Sequence, residues 1–549
     1  MGVFDMKRLA VALLAGVVAL SACSKPSQTG GEGGRVNSWT IPHVLRYANA
    51  EDVATLNPML LQDVVLAYMS SLTAAFLVKW DHRNLPYAEL ATEVPTQANG
   101  GVSKDGLTIT YHLRKGLRWS DGAPLDADDV IWTYHAIMNP ANNVVSRTGW
   151  DLITKIDEPD KYTVTFHLKQ PYSPFIVTFF SSAGANPSIL PKHLLAQYPN
   201  INTVAFNSLP IGAGPFKYKE WLRGQKVVMV PNPYYFRGQP KLKEVDFMII
   251  PNRDTIFTQL AAHELDLWVH VGGVYYVRLS ELGGYEGLNQ PSYQWNHIDF
   301  NLTHPGVSDP VVRYAMELAL DRATVVAKHY HGLATLQEGI APKTAPYYDP
   351  NIPLVPYDPK KANGLLDKDG WVRGPDGIRA KNGVKLNLNV AAQSGSQDVD
   401  NLLELLRSYW QAIGVGMTLH HYPSPQLFGA YADGGILLTG KFDVIFAAWF
   451  ADPIGDFSSL YACNQIPPKG QNDLHWCNPK ADAAMQTLFS HYEQPARNAD
   501  DRVLFEQLAQ DRPQITLIGV HEGYIFNKDL KNFNPNDVSP FDDFMNVDI

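Results

Sequence analysis

Cysteine is scarce: the 549-residue chain carries three, Cys23, Cys463 and Cys477. Two of them without further ligands at suitable spacing do not make a structural zinc site. Positive charge is short as well. Forty-five Lys and Arg face 55 Asp and Glu, a net charge of −10, and that opposes nucleic-acid binding, which needs a basic footprint. After residue 22 no apolar run approaches the roughly 20 residues of a bilayer span. Catalytic motifs are missing too. Residues 435–442 (GILLTGKF) nearly spell a phosphate-binding loop, but Phe442 stands where Ser or Thr must reach magnesium, and a strand pattern follows. There is no Gly-x-Ser-x-Gly elbow. His263-Glu264 has no second His at the zinc-protease spacing. His329 and His331 are two apart, and His420 and His421 fall on opposite faces of a predicted strand. Asp367-x-Asp369-Gly370 lacks the later ligands of a calcium loop. No carboxylate pair stands out, so no catalytic residue, metal set or cofactor is assigned. No internal repeat is visible.

What is present begins at the N-terminus. Lys7 and Arg8 precede twelve apolar or small residues, 9–20, and then Ser21-Ala22-Cys23. A basic start, a short apolar run and small residues before a cut site predict a signal peptide over 1–22. Twelve residues are too few for a membrane helix. Cysteine just after the cut resembles a bacterial lipobox, so Cys23 is expected to be acylated and to tether the protein to a membrane outside the cytoplasm. Residues 23–37, rich in Gly and Ser, read as a flexible tether. Met6 is an alternative start.

Removing 1–22 leaves 527 residues with 43 basic and 54 acidic side chains. A single core stops growing near roughly 250–300 residues, so two or more domains are expected. Forty-one Gly and 39 Pro predict plentiful loops, and 12 Trp with 26 Tyr suit either a binding cleft or an aromatic core. In an oxidising compartment Cys463 and Cys477 read as a disulfide, with two free buried thiols as the alternative. Closing a loop of about 15 residues would contribute roughly 3 kcal/mol.

Period-two alternation predicts strands over 107–113 and 161–168; 44–48, 245–250, 295–302, 384–390, 415–422 and 514–526 also read as strands. Residues 442–450 are apolar but for Asp443, the pattern of a strand buried on both faces. Helices are predicted over 63–76, 126–137, 309–328, 399–413 and 501–511. Residues 211–216 read as a tight glycine turn feeding a strand. The mixture is α/β.

Several segments, taken in order, resemble the peptide/nickel-type solute-binding proteins of bacterial ABC importers, extracellular solute-binding family 5. They are residues 105–130 (DGLTITYHLRKGLRWSDGAPLDADDV), 210–216 (PIGAGPF), 300–303 (FNLT), 309–313 (DPVVR), 319–322 (ALDR), 370–371 (GW), 374–379 (GPDGIR) and 526–530 (FNKDL). The resemblance covers about residue 44 to the end. It implies a two-lobed periplasmic-binding-protein clamshell with an inserted accessory domain. Lobe 1 would comprise 38–75, 205–298 and 516–549, the accessory domain 76–204, and lobe 2 residues 299–515. Crossings near 295–301 and 514–523 would form the hinge. It further implies a monomer that captures a small solute, most simply a peptide, by hinge closure and delivers it unaltered to a membrane permease. A nickel chelate or an oligosaccharide is the alternative ligand, since the fold hosts both. A secreted hydrolase, or a lipoprotein that passes its ligand to a receptor, is the alternative function.

In peptide-binding members a lobe-2 strand ends in Trp-x-x-Asp, whose Asp pairs with the ligand's α-amine. The match here is Trp449-Phe450-Ala451-Asp452. A buried ammonium is costly unless paired. Asp452-Pro453 also reads as a helix cap followed by Pro at the first helical position, and Asp456 as a cap or a second acid. Ala448 and Phe450 would offer backbone groups to an extended ligand, while Trp449 would stack on it or pack in the core. Trp295, Asn296 and His297 occupy the hinge stretch where many relatives carry tyrosines. Cys463 and Cys477 resemble the disulfide of dipeptide-binding relatives.

Overall fold

The structure is a computed structural model that describes residues 37–549 except 62, 145 and 184–186. The predicted signal peptide 1–22, the acylation site Cys23 and the tether up to residue 36 lie outside the described residues.

An eleven-stranded sheet organises the chain. Ten of its strands run in the order Gly416–Tyr422, Asn387–Gln393, Val444–Phe450, Tyr285–Phe300, Gln514–Asn527, Leu267–Val269, Val44–Asn49, Glu244–Ile249, Lys226–Pro231 and Phe216–Leu222. Ala334–Thr335 pairs separately with Gln514–Asn527. The two longest strands, Tyr285–Phe300 and Gln514–Asn527, run antiparallel through the middle. Their register breaks once between Pro291, opposite His521, and Trp295, opposite Gly519, and again between Asn296 and His297. In the first break residues 292–294 face Val520 alone, and the Ser292 hydroxyl donates to the Val520 carbonyl at 2.9 Å. Such a bulge bends the ladder. On either side of it the sheet covers a different core.

One core gathers Leu45, Leu66, Phe216, Phe247, Leu267 and Phe526. The opposite half buries Phe300, Val312, Leu388, Leu406, Trp410 and Val444. A third core lies almost wholly between residues 59 and 213, around Trp80, Tyr111, Trp119 and Phe166. A fourth, made of Trp295, Tyr347, Phe457, Tyr461, Trp476 and Phe505, packs beneath the bulge.

Local chemistry explains the element boundaries. Helix Val64–Thr73 starts where Asp63 accepts the amides of Val65 and Leu66 at 2.8 and 3.1 Å. Asp126 accepts the Asp128 amide while Asp129 accepts the Asp126 amide, a capping box opening Ala127–Met138. The glycine turn at 211–216 exists because Gly212 presses on the end of the first of these helices. A Cβ there would lie 1.8 Å from the Thr73 carbonyl oxygen, and the Gly214 amide donates to that oxygen at 3.1 Å.

Three expectations need correction. The helix predicted over 309–328 stops at Leu318 and restarts at Arg322 under an Asp321 cap. The break turns Arg322 inward, where its guanidinium meets the Thr516 carbonyl at 2.8 Å and Glu338 at 2.7 Å. The strand predicted over 384–390 is two strands, Val384–Lys385 and Asn387–Gln393. The strand predicted over 442–450 is buried only in its first half, because Asn387–Gln393 pairs with it at Val444 and Ile445 and then diverges.

Candidate functional site

That divergence creates the site. Strand Val444–Phe450 is paired along its whole length with residues 294–300. The Ala451 amide donates to the Tyr293 carbonyl at 2.9 Å, which sets the phase of the ladder. Hydrogen-bonded pairs alternate in an antiparallel pair, so Trp449 and Ala447 direct their backbone groups to that neighbour. Ala448 and Phe450 direct theirs to the other edge, where no strand pairs with them. Ala448 is exposed, and Phe450 exposes 57% of its surface although it is a large apolar side chain.

One cavity lies beside this edge and another beside the turn that follows it. One, of about 390 Å³, is lined by Asn296, Tyr330, Asp398, Phe428, Phe446 and Ala448, among others. The other, of about 430 Å³, lies between Asp151 and Tyr172 of the 59–213 core and Asp452, Asp456, Gln465 and Phe489.

Asp452 follows the strand and anchors a turn; no helix starts there. Its Oδ1 accepts the amides of Ile454 and Asp456 at 2.8 and 3.1 Å, and its carbonyl accepts the Tyr347 hydroxyl at 2.7 Å. Asp456 accepts the Ser458 amide at 2.9 Å, ahead of the short helix Ser458–Tyr461. Burial, reinforced by the charge of Asp456, pushes the Asp452 carboxyl up to about 7. Burial also raises Asp456 and Asp501. One cation, Arg497, opposes the three acids; its guanidinium bonds the Ile454 carbonyl. The cluster therefore carries more acid than base, and it lies against a cavity able to admit a cation.

The other sequence candidates divide. Asn296 reaches the 390 Å³ cavity and donates to the Tyr330 hydroxyl at 3.1 Å. Its neighbours Trp295 and His297 point to the opposite face and are wholly enclosed. Trp295 meets the Phe457 ring edge-on at 6.1 Å, and His297 Nδ1 lies 2.8 Å from Asp299. They line neither cavity, because alternation along the strand turns them into the core beneath the bulge. Trp449 is half-buried against that same core. Cys463 and Cys477 are disulfide-bonded, with Cα atoms 4.7 Å apart. The sequence reading does not single out Arg497, Asp501, Tyr330 or Asp398. Of these only Asp398 carries a local signal, as an acid in the first turn of helix Gln397–Ala412.

Bacterial extracellular solute-binding proteins, family 5 (middle), match residues 86–470. The oligopeptide-binding protein AppA of Bacillus subtilis (strain 168) is 25% identical over 446 residues, covering 80% of this chain and 79% of that protein. The structure of AppA from Bacillus subtilis in complex with a nonapeptide superposes with a TM-score of 0.75 at 22% identity, over 92% of this chain and 98% of that one. NikZ from Campylobacter jejuni in complex with Ni(L-His) gives 0.75 at 24% identity, over 91% and 98%. The mixed α/β architecture is that of the two-lobed periplasmic binding proteins. With most of its length matched, the chain belongs to the bacterial extracellular solute-binding proteins of family 5.

Proposed function

We propose that the protein captures a peptide between its lobes as the binding component of an ABC importer, and releases it chemically intact to a permease. One observation carries this reading: the open strand edge at residues 448–450 runs into the acid-rich turn at Asp452. An extended peptide pairs with such an edge through its main chain, so many sequences are admitted. At its end the peptide's α-ammonium meets Asp452, backed by Asp456. Ala448 and Phe450 supply backbone groups, Asn296 faces the peptide, and Trp449 supports the strand from behind. The nonapeptide in complex with AppA of Bacillus subtilis supports the same reading.

The bulge between Pro291 and Trp295 is the bending point of the clamshell, with lobes and accessory domain divided as the sequence implies: 38–75, 205–298 and 516–549; 76–204; 299–515. The separate cores around Phe247, Trp119 and Trp410 support that division. Export and acylation of Cys23 would place the monomer at a membrane facing the permease.

Mass spectrometry of whatever co-purifies with the protein, followed by calorimetric titration with the free compound, tests the proposal. Peptides with free N-termini are the expected cargo. A nickel chelate or a sugar in their place would overturn the peptide reading, and turnover of the cargo would overturn the binding role.

A further inference from the structure

The cavity beside Ala448 has a chemistry of its own. Leu402, Phe428 and Phe446 give it apolar and aromatic walls. His329 lines it as well, and burial lowers its pKa, which keeps the ring neutral near pH 7. The lining holds one carboxylate, Asp398, and no Lys or Arg. Asp398 lies in the first turn of helix Gln397–Ala412. Two residues on, Asp400 is taken by His421 at 2.8 Å. Asp398 has no ion pair or side-chain hydrogen bond among the described residues.

An apolar sleeve with one free carboxylate at its rim suits an aliphatic stem that ends in a cation. The stem packs along Leu402 and Phe446. The charged head sits near the aromatic faces and pairs with Asp398. A carboxylate in the same place would meet like charge with no counterion, and a purely apolar side chain would fill the sleeve but forgo the pair. The cavity opens beside Ala448, on the strand edge that a bound peptide would follow.

We infer that this cavity selects a basic side chain, lysine or arginine, on the peptide residue that lies beside Ala448. The inference rests on the peptide reading above and names the class of peptide.

Calorimetric titration with alanine tetrapeptides, each carrying a single lysine, norleucine or glutamate at one position in turn, tests it. At one position lysine should bind roughly five- to tenfold more tightly than norleucine, and glutamate should bind most weakly. Asp398→Asn should bring the lysine-to-norleucine ratio at that position close to one. Asp400→Asn, which touches only the His421 pair, should leave the ratio as in the wild type. If norleucine equals lysine at every position, or if the preference survives in Asp398→Asn, the inference is overturned while peptide binding stands. If no tetrapeptide binds and the co-purifying ligand is not a peptide, both readings fall together.

Discussion

Acidification should loosen a peptide held by its α-ammonium, by an amount set by Asp452. Burial and Asp456 raise that carboxyl to about 7 in the empty site. Pairing with an ammonium stabilises its ionised form, so the pKa falls on binding. The sign follows: below 7 the empty site holds a proton that the bound site gives up, and affinity drops about tenfold per pH unit. From pH 7 to pH 5 the loss should be of order a hundredfold, and binding at pH 6 should release close to one proton (roughly nine-tenths). Above pH 8 affinity should fall again, because the peptide amine titrates near roughly 7.7–8.0. Calorimetry in two buffers of different ionisation heat measures both quantities. Asp452→Asn should abolish the acid limb and weaken binding by about 2–5 kcal/mol, roughly thirtyfold or more, since the ammonium then lacks its counterion. Protons in the cluster are shared, so Asp456→Asn should shift the limb without removing it. A flat affinity between pH 7 and 5, with no proton release by peptides bearing free amines, would refute the amine anchor.

Ala448→Pro removes an amide that faces the open edge and so leaves the sheet's own ladder intact; peptide affinity should fall at least about tenfold, with the melting temperature little changed, and full affinity in titrations would reject strand addition. Reduction of the Cys463–Cys477 disulfide, which closes a loop with a sequence separation of 14, should cost roughly 3 kcal/mol in denaturant unfolding. Burial raises the Asp542 carboxyl to about 7 despite nearby Lys79 and the Ser182 hydroxyl. Between about pH 4 and 7 the folded state therefore holds a proton that the unfolded chain has lost, and stability falls as pH rises through that window. Asp542→Asn should remove up to about 1.4 kcal/mol per pH unit of this slope, and parallel wild-type and variant stability curves would contradict it.

What could be read from the sequence is what a few neighbouring residues decide. Asp63 and Asp126 cap the helices they precede, and alternation marks the strands Thr108–His112 and Thr163–Leu168. The first ten residues of strand Tyr285–Phe300 escape such reading. Gly287 and Pro291 weaken any local strand signal there, and the strand exists because Gln514–Asn527 pairs along it. The long helix predicted over 309–328 fails for the converse reason: its pattern continues, but burying Arg322 against Thr516 and Glu338 is worth more than unbroken helix.

The same division runs through the site. Asp452 enters through the Trp-x-x-Asp resemblance, and the turn it makes, in place of the helix cap its local sequence suggests, uses its own neighbours, Ile454 and Asp456. Trp295, Asn296 and His297 were equivalent as letters. Strand geometry separates the middle residue from the outer two, but which face meets the cleft depends on Phe457 and Phe505, more than 150 residues away. Arg497 and Asp501 stand on the late helix Gln494–Asp511, whose own pattern says only that one face is covered. Their meaning arises when Ile454 and Asp452 are laid against them. The open strand edge is the extreme case. No residue encodes it; it appears because Asn387–Gln393 leaves Val444–Phe450 after two paired residues, and the strand beyond them has a neighbour on one side alone.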